Sequence, residues 1–99
     1  MSASSQVIYW RDIPAQVRVR KAAERFSLPL SIRFQEAIDS AAVRSGLTGT
    51  DAYLEQWRSS PWQPFDGELQ STAEALVAEL EDSYNAKRLQ SLINNNGNE

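Results

Sequence analysis

Residues 7–21, read Val-Ile-Tyr-Trp-Arg-Asp-Ile-Pro-Ala-Gln-Val-Arg-Val-Arg-Lys, constrain the fold more than any other part of the chain. Two β-rich runs flank Asp12-Ile13-Pro14-Ala15. Aspartate favours the start of a turn, and proline fixes one φ angle while withholding a backbone donor. In the second run Val17 and Val19 alternate with Arg18 and Arg20, beside Lys21. On a strand, successive side chains point to opposite faces, so this run has one apolar and one cationic face. The first run, from Gln6 to Arg11, is apolar on both faces and reads as a strand covered on both sides. An isolated two-stranded hairpin is marginal in water, so it needs helices or a third strand to stand on.

The rest of the chain supplies them. Phe26-Ser-Leu-Pro-Leu30 offers a short third strand, since Pro29 excludes a helix interior there. Ser31 reads as a helix N-cap. Phe34, Ala37, Ile38, Ala41 and Ala42 then recur at helical spacing up to a terminating Gly46, with Leu47 packing back beneath it. Thr50 and Asp51 open a second helix, with Tyr53, Leu54 and Trp57 as its apolar stripe and Arg58 near its end. Pro61 to Gly67 is a loop by composition. Ser71 and Glu74 match a capping box, and a long acidic helix follows over about 72–93. Its stripe of Leu76, Val77, Leu80 and Tyr84 gives way to a rotated one of Leu89, Leu92 and Ile93. The expected fold is therefore α+β: an N-terminal antiparallel β-hairpin, with a short third strand available, packed on two helices and a longer acidic C-terminal helix. Residues 1–6 read as a flexible tail, 7–93 as one domain and 94–99 as a disordered polar tail. In the expected core, Val17 and Val19 meet Phe34, Ile38 and Leu54, and Trp57, Leu76, Leu80 and Tyr84 close it.

Composition removes most chemistry. The 99 residues contain no cysteine and no histidine. Disulfides, thiolate ligands, Cys–His and Ser–His–Asp catalysis are excluded for this chain alone. Only carboxylate chemistry or an oxygen-ligated cation stays open. Glu36 with Asp39, and Glu79, Glu81 and Asp82, read as solvated helix charge rather than as a catalytic pair. There is no phosphate-binding glycine loop and no calcium-loop pattern. No enzyme activity and no cofactor is expected. No apolar run approaches the roughly 20 residues of a membrane span, and Met-Ser-Ala-Ser-Ser lacks the features of a signal peptide. The expected location is the cytoplasm.

Charge is divided unevenly. Residues 1–60 hold eight Lys/Arg against six Asp/Glu (+2), and 61–99 hold two against seven (−5), which together give the net −3. An acidic chain with a basic end is not the pattern of a nucleic-acid binder. A cationic patch of Arg18, Arg20 and Lys21, with Arg11 and Arg25 nearby, remains. It is either a docking surface or the solvated face of an edge strand kept from aggregating. Tyr9 and Trp10 point to opposite faces, so one of them is core and the other is either covered or, if exposed beside Arg11, a recognition candidate. Trp62, in a proline-flanked loop, is either a plug or a binding hot spot. The candidate interaction residues are thus Tyr9, Trp10, Arg11, Arg18, Arg20, Lys21 and Trp62.

Val7-Ile-Tyr-Trp-Arg-Asp-Ile-Pro-Ala-Gln-Val17, the Arg33-Phe-Gln-Glu-Ala-Ile-Asp39 helix and Asp51-Ala-Tyr-Leu-Glu-Gln-Trp57, with the closing Tyr84-Asn-Ala-Lys-Arg-Leu-Gln-Ser-Leu-Ile93, resemble the small bacterial virulence factor domain family. The resemblance runs from about Val7 to Ile93. It implies an accessory protein. The family name comes from a larger protein in which a similar domain is joined to an iron–sulfur-scaffold-like domain and helical repeats, and some short members are encoded near folate- and corrinoid-dependent methyl-transfer enzymes. It carries over no catalytic residues, and iron–sulfur work does not transfer to a chain without ligands. The sequence departs from the family pattern at Phe26 to Leu30, where a more basic run is usual, which leaves the length of a third strand open. Two functional expectations follow. One is a non-catalytic module, monomeric or weakly dimeric, that docks on a larger cytoplasmic enzyme or assembly. The other is a binder of a small folate- or nucleotide-like anion through Arg11, Arg18, Arg20 and Arg33.

Overall fold

The computed structural model describes residues 3–99. The hairpin forms from β1 (Ala3–Trp10) and β2 (Ile13–Lys21), paired antiparallel. Its turn is tighter than the sequence reading. Only Arg11 and Asp12 lie between the strands, with Arg11 in the left-handed region at φ 53°. Pro14 belongs to β2, opposite Tyr9 and next to a register shift between Ile8 and Tyr9. An irregularity at that point accommodates a residue with no N–H to give the ladder.

The third strand is full length. β3 (Glu24–Pro29) pairs antiparallel with β2 over six residues. Two short strands, β4 (Trp57–Ser59) and β5 (Gln63–Phe65), pair with the other edge of β1. The five-stranded sheet therefore runs β3-β2-β1, with β4 and β5 sharing the far side. The second helix was expected to carry Trp57. Instead α2 stops at Glu55 (Asp51–Glu55), and Trp57 faces Trp10 across a strand pair. Pairing with β1 supplies the backbone partners that a continued helix would otherwise supply.

α1 (Ile32–Ser45) buries Phe34, Ala37, Ile38, Ala41 and Ala42, the face read from the sequence, and ends on a left-handed Gly46. Ser31 is its N-cap residue, but its side chain makes no cap bond. The long C-terminal helix is two helices: α3 (Leu69–Ser83) and α4 (Ala86–Asn94). Asn85 starts the second by accepting from the Arg88 N–H at 2.9 Å. The rotation between the two apolar stripes is thus a real break. α3 starts earlier than expected, with Glu68 at the N-cap position, so Ser71 lies within the helix rather than capping it. None of these helices is long and apolar enough to cross a membrane, among the described residues.

The core divides in two. Trp10, Ile13, Phe34, Ile38, Tyr84 and Leu92 belong to one cluster, built at the hairpin end with α1 and α4. Val17, Val19 and Ala73 belong to another, completed by Phe26, Leu28, Leu69 and Leu76. Val17 and Val19 therefore pack under α3 and not against Phe34 and Ile38. Leu54 is 64% exposed, because the five-residue α2 turns Tyr53 inward and Leu54 out.

Both expected tails are partly structured. Ala3 is buried as the first residue of β1, and Gln6 is buried within that strand; residues 1 and 2 of the expected N-terminal tail lie outside the described residues. At the other end, the Asp12 N–H donates to the Gly97 carbonyl at 2.9 Å, and the Glu99 N–H donates to the Asp12 carboxylate at 2.7 Å. Arg88 pairs with the Glu99 carboxylate at 2.7 Å. Gly97 is at φ 91°, and a Cβ there would lie 2.9 Å from the Trp10 ring. Composition alone reads this stretch as disordered because the groups that tie it to the hairpin turn, at Arg11 and Asp12, lie more than eighty residues away in sequence. Gly97→Ala therefore forces both a left-handed alanine and a clash with a fully buried ring. We expect it to lower unfolding free energy by about 1–3 kcal/mol, measured by chemical denaturation. An unchanged midpoint would show that this closure does not support the core.

Arg33 and Glu81 fasten α1 to α3. Arg33 donates to the Glu81 carboxylate at 3.1 Å and to the carbonyls of Glu81 and Tyr84, each at 2.6 Å. The same carboxylate accepts from the Ser31 N–H at 2.6 Å and from the Ser31 hydroxyl at 2.9 Å. Partial burial pushes the Glu81 carboxyl up, but the bonds from Ser31 and Arg33, with the Arg33 charge, outweigh that and hold it below the ordinary value. The link is therefore complete above the unfolded carboxylate value of about 4.3 and is lost as pH falls through the lower, folded value. Glu81→Gln should cost about 1–2 kcal/mol at neutral pH, discounted for the partial exposure of both partners. The gap to the wild type should close on acidification. A gap that stays constant down to about pH 3, well below the ordinary carboxylate value, would contradict a charged link.

Candidate interaction surface

Strand pairing assembles a surface on the side of the sheet away from Val17, Val19 and α3. Arg20 lies opposite Ser4, Arg18 opposite Gln6, and Gln16 opposite Ile8. On the other side, Arg20 lies opposite Arg25, Arg18 opposite Ser27, and Gln16 opposite Pro29. Directly opposed residues in an antiparallel pair share a face. One face thus presents Arg18, Arg20 and Arg25 beside Ser4, Gln16, Ser27 and Pro29, with Gln6 and Ile8 buried on it. Arg18, Arg25 and Ser27 are exposed, and Arg20 is half-buried. Among the described residues no carboxylate lies within ion-pair distance of Arg18, Arg20, Lys21 or Arg25; the ion pairs there are Arg33–Glu81, Arg58–Asp12 and Arg88–Glu99.

Trp62 completes this face. The Ser60 N–H donates to the Val7 carbonyl, and the Ser60 hydroxyl accepts from the Val7 N–H, each at 2.9 Å. The Gln6 side-chain amide donates to the Ser60 carbonyl at 3.1 Å. With Ser60 held there, the chain leaves β4 and brings Trp62 over Arg20, whose guanidinium carbon is 3.9 Å from the ring centroid. Such a contact stabilises by about 0.5–1 kcal/mol at an exposed site. It leaves the arginine charged and holds the half-buried indole in place. Beside it, Ile8, Gln16, Arg18, Trp57 and Ser59 line a shallow groove of about 410 Å³.

The other expected interaction residues lie elsewhere. Trp10 is fully buried, with its indole N–H donating to the Tyr53 carbonyl at 3.0 Å. Tyr9 is half-buried beneath the Arg58 guanidinium, 4.5 Å from its centroid. Arg58 in turn donates to the Arg11 carbonyl at 2.8 Å and to Asp12 at 2.9 Å. Arg11 is occupied by Gln56 at 3.1 Å and by the Asn96 carbonyl at 2.8 Å. Lys21 is exposed at the far end of β2. The structure therefore brings together Arg18, Arg20 and Trp62, and sets Tyr9, Trp10 and Arg11 apart at the hairpin turn. Of the four arginines expected to hold a small anion, Arg11 and Arg33 are engaged within the fold. Sequence reasoning named Arg25 as a neighbour but missed Gln16 and Ser27; the register of the third strand was the signal for them.

Chemically the face offers guanidinium groups, amides and an indole. Among the described residues no group of three or more His, Cys, Asp or Glu is placed to hold a metal. Neither a search of curated proteins nor one of solved structures gives a match. A family model described as "Virulence factor" matches residues 8–93, from the last three residues of β1 to the last but one of α4. The chain belongs to the virulence factor family.

Proposed function

We propose that this chain is a non-catalytic binding module whose open sheet face docks an acidic surface of a larger protein. The observation that carries the proposal is the row Arg18, Arg20 and Arg25, on a face no helix covers, without a carboxylate partner among the described residues. Guanidinium groups recognise carboxylates bidentately and are weakly hydrated, which suits them to a protein interface. Trp62, held by Arg20, supplies the aromatic anchor that such interfaces favour. The family resemblance gives the kind of partner to try first: a cytoplasmic enzyme of folate- or corrinoid-dependent methyl transfer.

Complementary charge acts mainly on association rate and selectivity, and its effect falls with salt. Arg18→Glu with Arg20→Glu should therefore abolish co-purification of a host partner that the wild type retains. The control Glu36→Lys with Asp39→Lys, on the exposed face of α1, should leave it intact. Both variants should keep the wild-type circular dichroism spectrum. Equal recovery by wild type and the Arg18/Arg20 variant would overturn the proposal, as would finding no partner in the native host. For the purified pair, raising salt from 50 to 500 mM should weaken binding by about tenfold or more. Trp62→Ala should weaken it while leaving thermal stability within about 1 kcal/mol.

A further inference from the structure

The same face ends at an open strand edge. β3 is the terminal strand of the sheet and, among the described residues, pairs only with β2. Each of its six residues is exposed or half-buried; α3 packs on one face, and among the described residues no strand pairs with its outer edge. Its two faces differ. Arg25 and Ser27 continue the cationic row of Arg20 and Arg18. Phe26 and Leu28, half-buried, continue the apolar row of Val19 and Val17 toward α3. At the start of the strand, Lys21, Glu24, Arg25, Phe26, Glu68 and Leu69 line an open groove of about 480 Å³, so this end of the edge carries both signs of charge.

We propose that the partner binds as an extended acidic segment that adds a strand to β3, and this inference rests on the basic-face reading above. An unpaired edge offers main-chain donors and acceptors to an incoming strand, and the alternating rows beside it choose the sequence. Acidic side chains at every second position extend the Arg18–Arg20–Arg25 row with opposite charge. The apolar side chains between them extend the Phe26–Leu28 row. A second copy of this chain is disfavoured at the same edge, because pairing β3 with itself places two arginine rows on one continuous face. The charges at Arg25 and Glu24 and the proline at position 29 are devices that blunt an edge against self-pairing. Here Pro29 leaves the Arg25 and Ser27 N–H groups as the free-edge donors, and Glu24 lies on the opposite face from the arginine row.

The probe is a fluorescein-labelled peptide of alternating Glu and Val, with a block-ordered peptide of equal composition as control. Two further versions carry N-methyl groups on every Glu or on every Val, so that each blocks one edge of the added strand. Strand addition predicts that the alternating peptide binds the full chain more tightly than the block peptide. One methylated version should weaken about tenfold or more, with the other nearly unchanged. Amide hydrogens of Arg25 and Ser27, which point away from β2, should gain protection from exchange on binding. Arg25→Glu should weaken binding as well.

If both methylated peptides bind as the parent does, while Arg18→Glu removes binding, strand addition is overturned and the basic-face reading stands. Binding indifferent to Arg18→Glu and Arg25→Glu counts against both. No binding up to about 1 mM, the weak end of specific recognition, overturns strand addition, and the basic-face reading is then judged by partner retention. Concentration-dependent protection of the Arg25 and Ser27 amides in the chain alone would identify a second copy as the occupant and also overturn it.

Discussion

The two-residue alternation of β2 is the constraint on which the rest of the structure depends. Val17 and Val19 are fully buried, and Arg18 between them is exposed. A slip of one residue would move both valines to water and the arginines into the core, so the register is strongly specified. Everything around the strand follows from that division. β3 pairs in the register that places Phe26 beside Val19 and Leu28 beside Val17. α3 then covers this apolar row with Leu69, Ala73 and Leu76. The opposite face is left with arginines, glutamines and serines, with Ile8 and Pro29 at one end and the indole of Trp62 over Arg20.

A second device closes the other end of the molecule. Trp10 has no exposed surface. It is held by the Tyr53 carbonyl, packs with its ring centroid 5.6 Å from that of Tyr53, and lies against Gly97. The hairpin turn, α2 and the C-terminal residues meet there, and Arg11, Arg58 and Asp12 are spent in joining them. The arginines of the chain thus fall into two groups. Those near the turn, with Arg33, Arg44 and Arg88, tie segments together, whereas on β2 and β3 Arg20 stacks on Trp62 and Arg18 and Arg25 make no ion pair among the described residues. This separation gives the open face its functional weight.

Local patterns made much of this legible from sequence. The alternation at 16–21, the helical spacing of Phe34, Ala37, Ile38, Ala41 and Ala42, and the stop at Gly46 all depend on neighbours within a few residues, and each appears where the residues place it. What was not legible depends on distant partners. Trp57 to Ser59 have no strand signal of their own and become extended because β1 has a free edge. The polar residues 94–99 are ordered by Trp10 and Asp12. Leu54 looked like core by spacing, but its helix is too short to bury a full stripe. At the surface, Arg18 and Arg20 could be read from the sequence, whereas the addition of Arg25, Ser27 and Trp62 to their face required the register of three strands and the path from β4 to β5.

The central claim is that the arginine face of the sheet is where a partner lands. Mass-spectrometric footprinting with an arginine-selective dicarbonyl reagent, on the free chain and on its complex with the native partner, tests it most directly. Arg18, Arg20 and Arg25 should be modified in the free chain and protected in the complex, with Arg33 and Arg88 equally reactive in both. Protection confined to Arg33, Arg44 or Arg88, with Arg18, Arg20 and Arg25 still reactive in the complex, would place the interface on the helical side and contradict the account.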